Sequence, residues 1–479
     1  MYHPDIEEAK KSAGRGNLLP VYREISADLE TPVSAFLKIN RGGYSFLLES
    51  VEGGERLARY SLIGTEPYKL LVTNPGDTGD PLAAVSAEMS RFKIVPVEGL
   101  PRFCGGAVGY LSYETVSRFE RLPSPEKDPL GLPEALFMMA NTLLVFDHVT
   151  HKIKVLSHVR LDGDIEALYA EAISKIDALV ARLESPLAPE PKPVAAGKRA
   201  PHSPPVSNFT RKDFEAAVNR AKEYIGSGEA IQVVLSQRMS QPTGAAPFDI
   251  YRALRSINPS PYMFFLDCQD FHIIGSSPEI LLRVEDGTVT TRPLAGTRPR
   301  GKTAAEDAAL EQELRNDEKE RAEHIMLVDL GRNDIGRVSR PGTVEISDLM
   351  NVERYSHVMH LVTQVQGKLQ AGLTSFDAMR ACFPAGTVSG APKIRAMEII
   401  AELEKEKRGP YAGAAGYFSF SGNMDMAIAI RTMVMTRGTA YTQAGCGIVY
   451  DSVPEAEYRE TLNKAQALLG AVRQAENAA

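Results

Sequence analysis

The stretch AGAAGYFSFSGNMDMAIAIRTMVMTRGTAYTQAGCGI, residues 412–448, decides the fold class. It carries three β-like runs in succession, 412–419, 427–436 and 439–448, and a helical pattern resumes only at 454–473. Strands that follow one another with no helix between them do not build a parallel βαβ sheet. Upstream the mixture continues, with strands at 231–239, 262–266 and 288–291 and helices near 211–226, 247–256, 303–332, 374–382 and 392–404. This half reads as α+β.

Further out, residues 1–185 alternate short β-like runs (44–49, 68–73, 103–110, 140–147, 152–158) with glycine turns, carry few helices, and end in a helical pattern over 164–183. Between the halves, SPLAPEPKPVAAGKRAPHSPP (185–205) is too rich in proline for a helix or a central strand. We therefore expect a sheet-rich part over 1–185, a linker over 186–205 and a second part over 206–479, which opens with the capping-box-like TRKD at 210–213.

The chain has 479 residues, 43% hydrophobic and 24% charged, with a net charge of -7, which excludes collagen-like and disordered classes. Acidity and the lack of a basic stripe with interleaved aromatics argue against a nucleic-acid partner. Its four cysteines are far apart and form no C-x-x-C, so neither a disulfide framework nor a zinc site is expected, and a reducing cytoplasm fits. No apolar run is long enough for a membrane span, and residues 1–15 lack a signal-peptide core. GTVSGAPK (386–393) has the wrong spacing for a phosphate-binding P-loop. The Gly445-Cys446-Gly447 run lacks the surroundings of a glutaminase nucleophile.

Two helices each offer two carboxylates on one face: Glu320 and Glu323, then Glu457 and Glu460 with Lys464 a turn further. The apolar set Ile325, Met326, Val328 and Leu330 can bury elsewhere on the first of them. Taken separately the pairs read as solvated faces. Brought together they would make an all-oxygen site for a hard cation, with magnesium favoured. GTRPRG (296–301), FPAGTVSGAPK (383–393) and Gly445 to Gly447 are either turns or anion cradles. Arg431 interrupts an apolar strand, either as an edge-facing or paired cation or as a clamp for a substrate carboxylate.

GTRPRG, AEHIMLVDLGRND (322–334), FPAGTVSGAPK, IAIRTM (428–433) and EAEYRETLNKA (455–465) occur in this order in the chorismate-utilising enzymes, which the chain resembles over most of 205–479. LLES (47–50) and NPSPYMFF (258–265) are similar to the tryptophan feedback site of the large, aminating subunits that form anthranilate. Relatives that add water to the ring carry a lysine base where this chain has Gln232, and an amide cannot deprotonate water. Aminodeoxychorismate-forming relatives carry a nucleophilic lysine where this chain has Ala295. Direct addition of ammonia is the chemistry left.

The resemblance implies large antiparallel β-sheets wrapped by helices, with the substrate site between the layers, in the 206–479 part. It implies Mg2+ held chiefly by Glu323 and Glu460, with Glu320 and Glu457 nearby. Glu279 would be the acid that assists departure of the ring hydroxyl, and His360 the group that moves a proton as pyruvate leaves, with His357 the alternative. Arg431 and Tyr411 would meet the pyruvyl carboxylate, Gly445, Cys446 and Gly447 would offer amides, and Gly296, Thr297, Thr387 and Lys464 would complete the pocket. Glu49 and Ser50 from the first part, with Pro261, Tyr262 and Met263 from the second, would hold tryptophan as a feedback inhibitor. The remaining partner implied is a separate glutamine amidotransferase subunit delivering ammonia, in a heterodimer or heterotetramer. The alternatives are an aminodeoxychorismate-forming subunit and a non-catalytic tryptophan-responsive regulator.

Overall fold

Apolar runs from both parts of the chain pair into two antiparallel sheets in the computed structural model, which describes residues 1–50, 59–187, 204–355 and 358–478. The first, of 13 strands, runs from Leu18–Ser26 through Lys152–Arg160, Thr142–Asp147, Tyr60–Thr65 and Ser45–Glu49. It continues without a break into Tyr262–Asp267, Phe271–Ser277, Thr432–Thr436, Thr439–Ile448 and Gln232–Pro242. The second, of 10 strands, joins Leu294–Pro299, Val358–Lys368, Thr288–Thr291, Ile280–Glu285, Met424–Ile428 and Ala414–Ser419 to Gly106–Leu111, Ala135–Ala140 and Lys69–Thr73. The two parts thus meet strand to strand in both sheets. Met263 lies opposite Glu49, and Gly416 opposite Gly109. Most of the proline-rich stretch, 188–203, lies outside the described residues.

One core cluster, including Phe46, Val108, Tyr110, Leu136, Val145, Phe264 and Val434, draws on both sheets and fills the space between them. A second seats helices Pro32–Ile39, Ile165–Glu184, Pro247–Ile257 and Pro454–Ala478 on the first sheet. A third seats Pro81–Met89, Glu318–Gly336 and Ser375–Cys382 on the second. Ala135–Ala140 and Gly106–Leu111 are buried at every position, as strands covered on both faces must be, and so read as continuous apolar runs.

Three sequence expectations change. The run 427–436 is two strands: Met424–Ile428 lies in the second sheet and Thr432–Thr436 in the first, and the crossing between them holds Arg431 at φ 46°. The helix expected over 303–332 is two helices, Ala304–Asn316 and Glu318–Gly336, because the Asp317 carboxylate accepts from the amides of Lys319 and Glu320 and caps the second. On that helix His324, Leu327 and Val328 are buried while Ile325 is exposed, so the apolar face lies about one residue away from the expected set.

Candidate active site

The candidate residues collect where the chain passes from one sheet to the other. Two segments, 271–285 and 424–436, each made of one strand from either sheet, run side by side through this corner, tied by Ser277 Oγ donating to the Ile428 carbonyl at 2.7 Å. The Ile428 amide donates to the Glu279 carbonyl at 3.0 Å, and the Ser276 amide to that of Arg431 at 3.1 Å. Glu279 and Arg431 therefore sit at adjacent crossings, where the ladder is interrupted and a polar side chain can enter the gap between sheets. Burial pushes the Glu279 carboxyl up to about 8, against the opposing pull of the Thr387 hydroxyl, the Leu294 amide and the Lys464 charge. The Thr387 Oγ1 itself is buried and makes no well-aligned hydrogen bond. Thr387 belongs to the Gly386–Val388 turn, and with Glu279 it lines a narrow cavity against Leu327 and Leu330.

His360 faces this corner from Val358–Lys368, opposite Thr297 in the neighbouring strand. Its Nδ1 lies 3.0 Å from the Gly296 carbonyl and 3.0 Å from Thr297 Oγ1. A carbonyl only accepts, so Nδ1 carries the proton and Nε2 is the basic nitrogen. Burial lowers the imidazole's pKa and the Gly296 carbonyl opposes this, while Arg431 and Lys464 add to the lowering. Gly296 has φ 70°, and a Cβ there would meet Leu314 at 3.0 Å and Glu320 Oε2 at 3.3 Å. His357 lies outside the described residues.

From the first sheet, Thr439–Ile448 supplies Gly445, Cys446 and Gly447. A Cβ on Gly445 would come within 2.6 Å of the Tyr411 hydroxyl and 2.8 Å of the Leu235 carbonyl, so this position requires glycine, while one on Gly447 would come within 2.5 Å of Gln232 Nε2 and displace that side chain. Cys446 is buried and its thiol is pushed far up by desolvation, which makes it a packing residue rather than a nucleophile. Lys464 donates to the Gly445 carbonyl at 3.0 Å and pairs with Glu460 at 2.7 Å along Pro454–Ala478.

The four glutamates stand as two pairs, one per helix. Burial and then the neighbouring Glu323 raise Glu320, against Arg298, which lies 3.3 Å from its carboxylate. Burial, and also Glu460, raise Glu457. Among the described residues no three His, Cys, Asp or Glu side chains gather closely enough to hold a metal by themselves. Magnesium keeps several waters and is commonly held by one or two carboxylates, so one glutamate from each helix fits it chemically.

Sequence reasoning passed over Arg408. Fully buried, it grips Glu404 through Nε at 2.8 Å and Nη2 at 2.7 Å, and donates to the carbonyls of Val388 and Val234 at 2.8 and 2.7 Å. Glu404 in turn accepts from the Ser236 amide at 2.7 Å, and the guanidinium lies over the Tyr113 and Tyr411 rings. This ion pair ties the Thr387 turn and Tyr411 to the strand that backs Gly445 to Gly447. An arginine within KRGPY (407–411), in a loop, gave no periodic signal.

Glu49, Ser50, Pro261, Tyr262 and Met263 all line a second cleft, of about 1460 Å3 counted to its open mouth, at the seam of the two parts. Glu49 accepts from the Tyr251 hydroxyl at 2.5 Å and from Arg255 at 3.0 and 3.2 Å. Tyr262, Asp425 and Arg283 close a triangle of hydrogen bonds of 2.9 to 3.1 Å on its wall. Arg283 and Asp425 were not among the expected residues, because each stands in a strand whose pairing partner only the fold reveals.

Residues 43–470 match the family model described as chorismate binding enzyme. Over 99% of both chains, the protein is 49% identical to anthranilate synthase component 1 of Acetivibrio thermocellus. Its fold is similar to the crystal structure of anthranilate synthase component I from Streptococcus pneumoniae, with TM-score 0.77 and 40% identity over 93% of this chain and 98% of that one. The menaquinone-specific isochorismate synthase of Escherichia coli shares the fold at TM-score 0.72 and 18% identity, covering 98% of each chain. No described helix is long and apolar enough to cross a membrane. The protein belongs to the chorismate-binding enzymes, in the branch of the anthranilate synthase large components.

Proposed function

We propose that the chain converts chorismate and ammonia to anthranilate and pyruvate, with Mg2+ as cofactor, ammonia supplied from glutamine by an amidotransferase partner, and tryptophan as feedback inhibitor. This is the committed step of tryptophan synthesis. The observation that carries the reading is geometric: Glu279, buried where one sheet passes into the other, and His360, whose Nδ1 proton is held by the Gly296 carbonyl so that Nε2 is the basic nitrogen, both belong to this corner, and burial favours the neutral form of each. Ammonia attacks ring C2 as the C4 hydroxyl leaves, taking a proton from the Glu279 carboxyl. In the second step the proton at C2 passes to His360 Nε2 as the C3–O bond breaks, the ring aromatises and pyruvate departs. Arg431 and Tyr411 bind the pyruvyl carboxylate, and the glycine amides and Thr387 orient the ring. The metal, when bound by Glu323 and Glu460, would hold the ring carboxylate and stabilise developing charge. Ala295, buried in the strand beside Gly296, offers no nucleophile for an aminodeoxychorismate-forming route.

The test uses the purified chain with chorismate, magnesium and an ammonium salt at about pH 8.5, where a useful fraction of the ammonia is unprotonated. Anthranilate fluorescence that tryptophan suppresses is the expected result. Isochorismate or aminodeoxychorismate as the product overturns the reading.

A further inference from the structure

Gln232 has so far been explained only by the lysine it replaces. The structure gives it work of its own. It is almost fully buried, and its Nε2 donates to Glu323 Oε1 at 3.0 Å while packing against Gly447. Its backbone is fixed by pairing with Ala391, and the next residue pairs with Ile448. Glu323, by contrast, is only half-buried, on a helix seated against the second sheet. The amide therefore reaches from an anchored strand of the first sheet to a carboxylate carried by the other layer.

We propose that Gln232 is a positioning residue that presets Glu323, holding one carboxylate oxygen and leaving the other free for a divalent cation. This rests on the magnesium reading above. A carboxylate that ligates a metal is commonly oriented by a hydrogen bond to its second oxygen. The donor here is neutral, and a hydrocarbon at the same place would leave the carboxylate free to rotate. Gly447 makes room for the amide, so strand and glutamine form one device.

The experiment is a calorimetric titration of Mg2+ into the full chain, saturated with chorismate in ammonia-free buffer so that no amination proceeds. Wild type, Gln232→Met and Glu323→Gln are compared after thermal melting confirms that each is folded. Gln232→Asn, which keeps the amide but shortens its reach, takes the place of the methionine variant if that one is unfolded. We expect saturable binding by wild type, its loss in Glu323→Gln, and a dissociation constant raised about 10- to 100-fold in the Gln232 variant. Excess Mg2+ should then restore most of that variant's kcat, which a general structural lesion would not allow. A dissociation constant within about twofold of wild type, or a kcat deficit that metal does not rescue, overturns the proposal while leaving the magnesium reading in place. No saturable binding by wild type overturns the magnesium reading itself, and this proposal with it.

Discussion

Glu279 and Glu49 are both buried carboxylates beside strands of the first sheet, yet the two clefts treat them in opposite ways. Glu49 meets a guanidinium and a phenol, Arg255 and Tyr251, each with full hydrogen bonds. Glu279 meets an unaligned hydroxyl, one backbone amide, that of Leu294, and a cation that acts from a distance, and burial dominates. The first arrangement fixes a charge between a strand of the first sheet and the helix Pro247–Ile257. The second favours the neutral, protonated carboxyl. Position along the sheet explains the difference: Glu49 lies where two strands pair in register, while Glu279 lies where the strand leaves one sheet for the other and its neighbours fall away.

The largest expected effect of breaking this contrast is on the acid. Glu279→Gln should lower kcat by about 10²- to 10⁴-fold while leaving tryptophan affinity by calorimetry unchanged; equal losses in both would mean that the clefts are not separate devices. The same variant sharpens the comparison in stability. The pKa of Glu279 in the fold, about 8, lies above the ordinary 4.5, so unfolding releases a proton between those values. Its contribution to stability is complete below about pH 4.5 and is lost as the pH rises through 8, at an order of 3 to 5 kcal/mol. The variant escapes this loss, so its thermal midpoint should exceed that of wild type by more at pH 8 than at pH 5.

Arg408→Met tests the scaffold behind the candidate active site. It leaves Glu404 buried without its partner, a loss of about 3 to 5 kcal/mol, read as a lower thermal midpoint together with reduced kcat. Ser50→Phe should fill the second cleft and weaken tryptophan inhibition by at least about tenfold, with catalysis intact. The smallest effect is expected from Glu49→Gln, which keeps the shape but removes the charge facing Arg255. A stability loss of about 1 to 2 kcal/mol, with the opposite sign to Glu279→Gln at pH 8, would mark the two carboxylates as different in kind.

Much of the candidate site was legible because its residues stand in short runs: Gly296-Thr297 in one strand, Thr387 in one turn, and each glutamate pair along one helix. The helix over 211–226 was legible through its Thr210 cap, and the one expected near 247–256 ends one residue later, at Ile257. What depended on distant pairing was not. Ile428 and Thr432 are both apolar-strand residues in the text, and only the two sheets reveal that the chain turns between them at Arg431. Asp317 reads equally well inside a helix or as its cap. The strands Glu345–Arg354 and Val358–Lys368 were missed because polar residues occupy much of both, so His360 was placed by its motif and not by its element. Gln232 and Arg408 owe their importance to partners 91 and 174 residues away in sequence, beyond the reach of any local pattern.

The contrast between the two glutamates is measured most directly by infrared difference spectroscopy on the full chain at pH 7, comparing wild type with Glu279→Gln and with Glu49→Gln. The account predicts a protonated carboxylic acid band that disappears in Glu279→Gln, persists in Glu49→Gln, and fades in wild type as the pH is raised past about 8. A wild-type spectrum at pH 7 in which Glu279 contributes only a carboxylate band would contradict it.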